Sequence, residues 1–310
     1  MKVIKCGGNV LSKFEDRKRL YQEIKNEKDK IVLVVSAFND CPYSTKSLKK
    51  LLTNNTSYEM EQELIILGEI ISSIRVCNEL INEYIDAGLI YKEELGIYVN
   101  SSDKMDDVIK LDSTHIKEKV NEHKVVVIPG FIGINQHNRF VSLNANGSDL
   151  TAILVAKMLD LKQVYLYKDV LGLASINPKI YKDYKLYNNV SYSLMQQIIL
   201  HGSDLIQEEA INKAKEYNID IYITHYLNHS YFTNISKFNK EKVLVFQNID
   251  NCIYIDGYSN KEIIESLLIN KNILFDYILP CNSFVKIVTS HYNESIILHV
   301  LHSAYLKGEI

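Results

Sequence analysis

The chain has 310 residues and a formal net charge of −3, with 46% apolar and 24% charged residues. This balance is typical of a folded globular protein of roughly two domains. The small negative charge excludes a general basic surface for nucleic acid. No apolar run reaches the ~18–20 residues that cross a bilayer, so neither nucleic acid nor membrane is expected as a partner.

The cysteines give no sign of a metal centre or of disulfide bonding. All five are widely scattered, and none forms a C-x-x-C pair, which argues against a zinc site and a disulfide framework. The first residues, MKVIKCGGNV, lack the apolar core of a signal peptide. We therefore expect a cytoplasmic protein and predict no metal-ligating side chains.

Buried strands alternate with helices through most of the chain. Continuous β-branched runs such as IVLVVSAF predict strands covered on both faces, and apolar residues at helical spacing predict helices. In chain order, strands are predicted at 2–6, 31–38, 124–133, 163–170 and 219–224, and helices at 13–29, 57–87, 147–161 and 191–217. The alternation predicts an α/β fold with a mainly parallel sheet.

A polar stretch at 225–240 with several turn-forming residues predicts a domain boundary. Beyond it, the pattern predicts strand, strand, helix, strand, strand and helix. Residues 240–310 are therefore expected to form a small α+β domain.

Small and polar residues collect where the predicted strands end. They are Lys5, Gly7 and Gly8 at the first strand, Ser36 at the second, Ser148 and Asp149 at a helix start, and Asp169, Gly172, Pro178 and Lys179 after a later strand. Open α/β sheets bind ligands at these carboxyl ends. Paired glycines let backbone N–H groups approach an anion, and a lysine supplies a charge for phosphate oxygens. A plain strand–helix turn is the alternative at each position.

No P-loop pattern G-x4-G-K-[ST] and no G-x-G-x-x-G occurs, but six other segments follow a known order. They are KCGGNV at 5–10, VVSA at 34–37, LGE at 67–69, PGFIG at 129–133, NANGSDLTA at 144–152 and DVLGLASINPK at 169–179. In this order the chain resembles the amino acid kinase family over roughly 1–225, and within it the aspartate kinases.

The resemblance implies a three-layer αβα sandwich with a mainly parallel central sheet as a catalytic domain at 1–228. The small domain at 240–310 resembles an ACT-type regulatory domain, because its strands and helices follow the same order, and it is expected to be single and incomplete.

The resemblance also implies an activity, the ATP-dependent phosphorylation of an amino acid carboxylate, most closely that of L-aspartate. It gives Lys5 and Asp149 catalytic roles, with Asp149 orienting the lysine. Its substrate-binding residues are Ser36, Thr45, Glu69 and Ser148, and its nucleotide-binding residues are Gly7, Gly8, Asp169, Gly172, Pro178 and Lys179. It implies ATP and Mg²⁺ as cofactors, a small amino acid as substrate, and a homodimer.

Several positions depart from the aspartate kinase pattern. Ala145 stands where the family has an arginine that clamps a substrate carboxylate, and Asp204 where it has a phosphate-facing lysine. Asn9 and the NAN segment resemble the acetylglutamate kinase branch instead. Two alternatives therefore stay open: a kinase of another acid such as an acylated glutamate, and a catalytically inactive relative that binds a ligand and regulates a partner.

Overall fold

The structure of the protein, a computed structural model, describes residues 1–102, 105–143, 147–238, 240–290 and 293–310, with side chains left out at 101, 102 and 105–107. The chain divides into two compact units. The first comprises 1–171 and 212–232, and the second comprises 172–211 and 233–310.

The first unit holds the predicted alternation of strands and helices. Its strands are β1 (Lys2–Cys6), β2 (Ile31–Val35), β3 (Ala87–Leu89), β4 (Ile97–Ser102), β5 (Met105–Leu111), β6 (Val125–Pro129), β7 (Ile132–Ile134), β8 (Phe140–Ser142) and β9 (Gln163–Lys168). Its helices are α1 (Gly8–Ser12), α2 (Phe14–Asn26), α3 (Thr45–Lys49), α4 (Tyr58–Asn82), α5 (Thr114–Glu122) and α6 (Ser148–Met158). A 3-10 turn spans Lys92–Glu94.

The second unit begins with β10 (Leu173–Ala174), β11 (Leu186–Tyr187), β12 (Asn189–Ser191) and α7 (Tyr192–Leu200). The chain then returns to the first unit through α8 (Glu208–Tyr217) and β13 (Asp220–His225), and leaves it again within β14 (Asn228–Ser236). The remaining elements are β15 (Val245–Ile249), β16 (Cys252–Asp256), α9 (Lys261–Asn270), β17 (Tyr277–Pro280), β18 (Phe284–Val288) and α10 (Glu294–Leu306).

The central sheet of the first unit runs in the order β13-β9-β1-β2-β6-β3, and each neighbouring pair is parallel. Ile4 and Cys6 of β1 pack in one apolar cluster with residues of α1, α2 and α4. Successive side chains of a strand point to opposite faces, so Lys5 faces the other way, where it meets Asp149 of α6. Helices thus cover both faces, which confirms the predicted αβα sandwich with a mainly parallel sheet.

Three details of the sequence-based elements are wrong. The helix predicted at 191–217 is two helices, α7 and α8, separated by residues 201–207. Helix α4 ends at Asn82 instead of near residue 87, because Tyr84 turns into the left-handed region (φ 59°) and Ile85 N–H donates back to Leu80 O. The polar stretch at 225–240 contains β14; six of its nine residues are polar, so its sequence has no continuous apolar run to indicate a strand.

The C-terminal part of the second unit has the predicted order of strands and helices, β15, β16, α9, β17, β18 and α10, around an antiparallel sheet in the order β15-β16-β18-β17. Its core also includes Ile176, which precedes these elements by many residues. The small C-terminal α+β fold is confirmed, whereas the domain limits 1–228 and 240–310 stay a prediction. None of the helices in the described part of the chain has the length and apolar content that a membrane crossing requires.

Candidate active site

Three neighbouring parallel strands bring their carboxyl ends to one edge of the central sheet. Lys5 of β1 lies in register with Val34 of β2 and with Leu166 of β9. The residues that follow these strands therefore lie side by side, as the ligand-binding edge of an open α/β sheet requires.

At this edge a buried carboxylate lies between two lysines. The Nζ atom of Lys5 is 2.7 Å from Oδ1 of Asp149, and the Nζ atom of Lys168 is 2.9 Å from Oδ2. Lys5 is only 7% exposed and Asp149 only 2%. The pair combines β1 with the first turn of α6, and Lys168 is the last residue of β9.

The charge state of Asp149 follows from these neighbours. Burial alone would raise the pKa of the carboxyl, but the ammonium groups of Lys168 and Lys5 outweigh it and hold the pKa well below its usual range. The carboxylate is therefore ionised, and the cluster carries one more positive than negative charge. Oδ1 is not in hydrogen-bond geometry with any described donor, although Lys5 Nζ is close to it.

Glu69 brings a second buried carboxylate to the same edge from α4. Its Oε1 accepts a hydrogen bond from the backbone N–H of Ala37 at 3.2 Å, just after β2. Its Oε2 is buried and has no hydrogen-bond partner among the described residues. Burial raises the pKa of Glu69 to about 7, against the opposing effects of the Ala37 N–H, its own N–H and the charge of Lys5.

Gly68 allows this helix to approach the loop after β2. A Cβ atom there would lie 2.7 Å from the carbonyl oxygen of Tyr43 and 3.0 Å from Cβ of Ala37. Phe38 N–H also donates to Ser72 Oγ, one turn further along α4, at 3.0 Å. The LGE segment therefore has a clear steric role, since it holds Glu69 against the end of β2.

The other predicted substrate-binding residues lie at element ends in the first unit. Ser36 follows β2, is partly buried, and its N–H donates to Cys6 O. Thr45 opens α3, which packs against α4. Ser148 is 4% exposed at the start of α6, so close to Gly130 that a Cβ there would lie 2.7 Å from Ser148 Cβ.

The paired glycines behave differently from each other. A Cβ on Gly8 would collide with the carbonyl oxygen of Ala37 and lie 2.7 Å from Asn39 Oδ1, so Gly8 is required by the packing of two strand-end loops. A Cβ on Gly7 would meet only Lys5 Nζ, at an ordinary 3.7 Å. The described neighbours thus give Gly7 no steric reason to be glycine.

Two contributors to this edge were missed as site residues in the sequence. Lys168 is not among the predicted site residues, yet it binds Asp149 directly. Asn9 donates to Asp169 Oδ2 at 2.9 Å and accepts from the side chain of Asn39. The position of Lys168 at the end of β9, beside Asp169, was the available signal.

The remaining predicted nucleotide-binding residues lie in the second unit. Gly172 has φ 144°, and Thr233 Oγ1 would lie 2.5 Å from a Cβ there. Pro178 and Lys179 are exposed, and Lys179 N–H donates to Asn177 Oδ1 in a tight turn. Asp204 is exposed as well, whereas Ala145 lies outside the described residues.

The described side chains offer no ready metal site. Within the described ranges, His, Cys, Asp and Glu nowhere form a group of three or more that could hold a metal ion. An ion bound at this edge would need most of its oxygen ligands from elsewhere.

Residues 1–225 match the amino acid kinase family. An aspartokinase from Rickettsia bellii is 26% identical over 280 residues, covering 87% of this chain and 64% of the relative. An aspartate kinase from Pseudomonas putida is 23% identical over 226 residues, covering 72% and 55%. The chain thus spans between half and two thirds of the length of these relatives.

Among solved structures, Escherichia coli aspartokinase III in complex with aspartate and ADP has the same fold. Its TM-score is 0.67 at 16% sequence identity, with 97% of this chain and 84% of that chain covered. The match extends over both compact units.

Proposed function

Because the chain belongs to the amino acid kinase family, we propose that it transfers the γ-phosphoryl group of ATP to a carboxylate, with L-aspartate as acceptor and 4-phospho-L-aspartate as product. The names of its relatives support aspartate. The observation that carries the proposal is the group of Lys5, Asp149 and Lys168, together with the Glu69 oxygen at the same sheet edge that has no partner among the described residues.

In this reaction a carboxylate oxygen of the acceptor forms a bond to the γ-phosphorus while the bond to the bridging oxygen of ADP breaks. No proton has to move, so the enzyme's task is to position the reactants and to neutralise charge. We assign this neutralisation to the Lys5 ammonium. Asp149 holds the ammonium in place, and their shared burial strengthens its field on the transferred group.

Glu69 is suited to bind the ammonium of an amino acid. Its free Oε2 is a buried acceptor without a partner in the described residues, which is costly unless a ligand supplies the donor. A cationic donor would also stabilise the ionised carboxylate against the burial that raises its pKa. We propose that Ser36, Thr45 and Ser148 complete the acceptor site with hydroxyl groups.

For the nucleotide, we propose phosphate contacts by Gly7 and Gly8 and further contacts by Asp169, Gly172, Pro178 and Lys179. The lack of a steric need for glycine at Gly7 supports its role next to a ligand. When bound with ATP, Mg²⁺ would neutralise phosphate charge, held by phosphate oxygens and water. We assign it no protein ligand.

Two broader features belong to the same proposal. The family resemblance supports a homodimer in the cytoplasm, with the C-terminal α+β part acting as an ACT-like regulatory domain. Light scattering of the purified full chain would measure the oligomeric state directly, with a single mass of twice 35.7 kDa as the expected result.

One observation favours a second candidate. The exposed carboxylate of Asp204, where a phosphate-facing lysine is the family pattern, would repel ATP. An inactive relative that binds an amino acid alone is therefore the alternative, and an acylated glutamate is the alternative acceptor suggested by Asn9.

Trapping the acyl phosphate with hydroxylamine distinguishes these candidates. The full chain with ATP and Mg²⁺ is offered L-aspartate, N-acetyl-L-glutamate or L-glutamate, and the hydroxamate is measured. Hydroxamate with aspartate alone is the expected result. Product only with the acetylated acid assigns another acceptor, and no product with any acid, with a ligand still raising the Tm, assigns the inactive relative.

A further inference from the structure

A second ion pair in the first unit joins the buried Arg17 to the partly buried Glu79. Arg17 of α2 is 1% exposed, although it is one of the largest side chains in the core. Its Nε donates to Glu79 Oε2 at 2.7 Å and its Nη2 to Glu79 Oε1 at 2.8 Å, a bidentate pair with α4.

The same guanidinium also holds the end of α1. Arg17 Nη1 donates to the carbonyl oxygens of Leu11, at 2.7 Å, and Ser12, at 3.3 Å. Helix α1 runs from Gly8 to Ser12 with Gly7 as its N-cap, so these carbonyls lie at the end of the short helix that starts at the glycine pair. Ser12 Oγ in turn donates to Gly8 O at 2.6 Å and to Asn39 O at 3.1 Å.

A third contact reaches the loop after β2. The guanidinium carbon of Arg17 lies 4.7 Å from the centroid of the Phe38 ring, a cation–π distance. Phe38 follows Ala37, whose N–H binds Glu69. Arg17 therefore contacts the segment that holds the proposed ammonium-binding carboxylate.

Both carboxylate oxygens of Glu79 accept hydrogen bonds from neighbouring side chains. Besides Arg17, it accepts from Tyr21 OH at 2.9 Å and from Arg75 Nε at 2.9 Å. It lies on α4 about three turns beyond Glu69. The rigid, planar guanidinium of Arg17 thus contacts α1 and the loop after β2. Through Glu79 it also binds α4, the helix that carries Glu69.

We infer that Arg17 is a positioning residue that sets the distance between the phosphoryl-binding glycines and the acceptor-binding Glu69. An inference of this kind rests on the proposed function, since it concerns the relative position of the two reactants. A guanidinium presents its donors in a fixed fork, whereas a lysine presents a single flexible point charge. Misplacing reactants by about 1 Å costs roughly 100-fold in rate, and each half-site keeps its own ligand contacts.

The first test compares Arg17→Lys with Leu20→Ala in the hydroxamate assay. Leu20 is buried in the same helix and belongs to the apolar cluster that includes Phe38, so its variant reports loss of packing alone. At a temperature where both variants are folded by circular dichroism, Arg17→Lys is expected to lower kcat at least tenfold and to leave the KM values for ATP and aspartate within about threefold. Equal kcat in the two variants, or a rise in KM that accounts for the whole loss, would overturn the inference.

A double variant tests whether the pair acts as a unit. Glu79→Gln is expected to lower kcat in the same direction, and Arg17→Lys with Glu79→Gln to be no worse than Arg17→Lys alone. Multiplying effects would mean that the two residues act independently and would contradict a shared positioning role.

Hydrogen exchange gives an answer even if the wild-type chain makes no acyl phosphate, an outcome that defeats the proposed function alone. Arg17→Lys is expected to lose protection at the N–H groups of Ala37, Phe38 and Asn39, which bind Glu69, Ser72 and Gly8. Leu20→Ala is expected to keep it. The same protection in both variants would show that Arg17 does not position this loop.

Discussion

Two glutamates of α4, the buried Glu69 and the partly buried Glu79, differ in how their carboxylate oxygens are hydrogen-bonded. Both oxygens of Glu79 accept hydrogen bonds from charged or phenolic donors. Burial would raise its pKa, but the bonds from Arg17, Arg75 and Tyr21 lower it below the usual value. Glu69 has one bond to a backbone N–H and one oxygen without a partner in the described residues, and its pKa is raised to about 7.

The contrast separates a structural carboxylate from the one that we propose binds a ligand. A buried charge whose hydrogen-bonding capacity is filled by its own fold has nothing left to offer a ligand. A buried charge with an empty acceptor lies at a functional site more often than elsewhere. The same comparison applies to Asp256 of the second unit, which His201, Gln197 and Gln247 surround with donors, and to which we assign no ligand.

The largest expected effect concerns the lysine at the sheet edge. Lys5→Met is expected to lower kcat for acyl phosphate formation roughly 10³-fold, because it removes the charge that meets the transferred phosphoryl group. Lys2→Met is the matched control, since Lys2 lies on the same strand and pairs with Glu27. Normal turnover of the Lys5 variant would remove the proposed mechanism.

The next largest effect is the loss of stability when Glu79, whose two oxygens both accept hydrogen bonds, is replaced. Glu79→Ala leaves Arg17 buried without its counter-charge and is expected to lower the free energy of unfolding by about 3–5 kcal/mol. The exposed Glu63 of the same helix provides the control, and Glu63→Ala should change it by less than about 0.5 kcal/mol. Urea unfolding curves measure both, and similar midpoints would contradict the structural role of Glu79.

The pH dependence of stability tests the raised pKa of Glu69. Its ordinary pKa is 4.5 and its folded pKa is about 7, so between these values the unfolded chain has lost a proton that the folded chain keeps. The free energy of unfolding contributed by Glu69 therefore falls as the pH rises from 4.5 to 7, by at most about 3 kcal/mol, and is flat above. Glu69→Gln should lack this fall, and identical pH profiles of the two proteins would refute the shift.

The smallest expected effect is on substrate binding. Glu69→Gln is expected to raise the KM for aspartate roughly 10- to 100-fold, the loss of one charged hydrogen bond, with the KM for ATP unchanged. In the wild type, the KM for aspartate should fall as the pH rises through 7, because the carboxylate must ionise. Glu63→Gln controls for the change of charge on α4, and equal losses for both substrates would place Glu69 outside the acceptor site.

Local patterns in the sequence were sufficient for the sheet and its edge. The β-branched run before Gly7 and Gly8 correctly placed Lys5 at a strand end, and the alternation of strands and helices predicted the parallel sheet. Strand β14 was missed because its residues are largely polar. Its pairing, and not its composition, makes it a strand.

Contacts between residues far apart in the chain could not be predicted from these local patterns. Arg17 and Glu79 are 62 positions apart, and nothing in either segment indicates the other. The approach of Asp149 to Lys5 was expected only from the family resemblance. The number of hydrogen bonds that Glu79 and Glu69 accept depends on three-dimensional neighbours. In the sequence, only the family resemblance of the LGE segment distinguished Glu69.

The most direct test of the central claim is a crystal structure of the full chain with aspartate and a non-hydrolysable ATP analogue. The Lys5 ammonium should lie within about 3 Å of a γ-phosphoryl oxygen, with Glu69 Oε2 at the same distance from the aspartate ammonium. A γ-phosphoryl group bound elsewhere, with Lys5 in contact with Asp149 alone, would contradict the account.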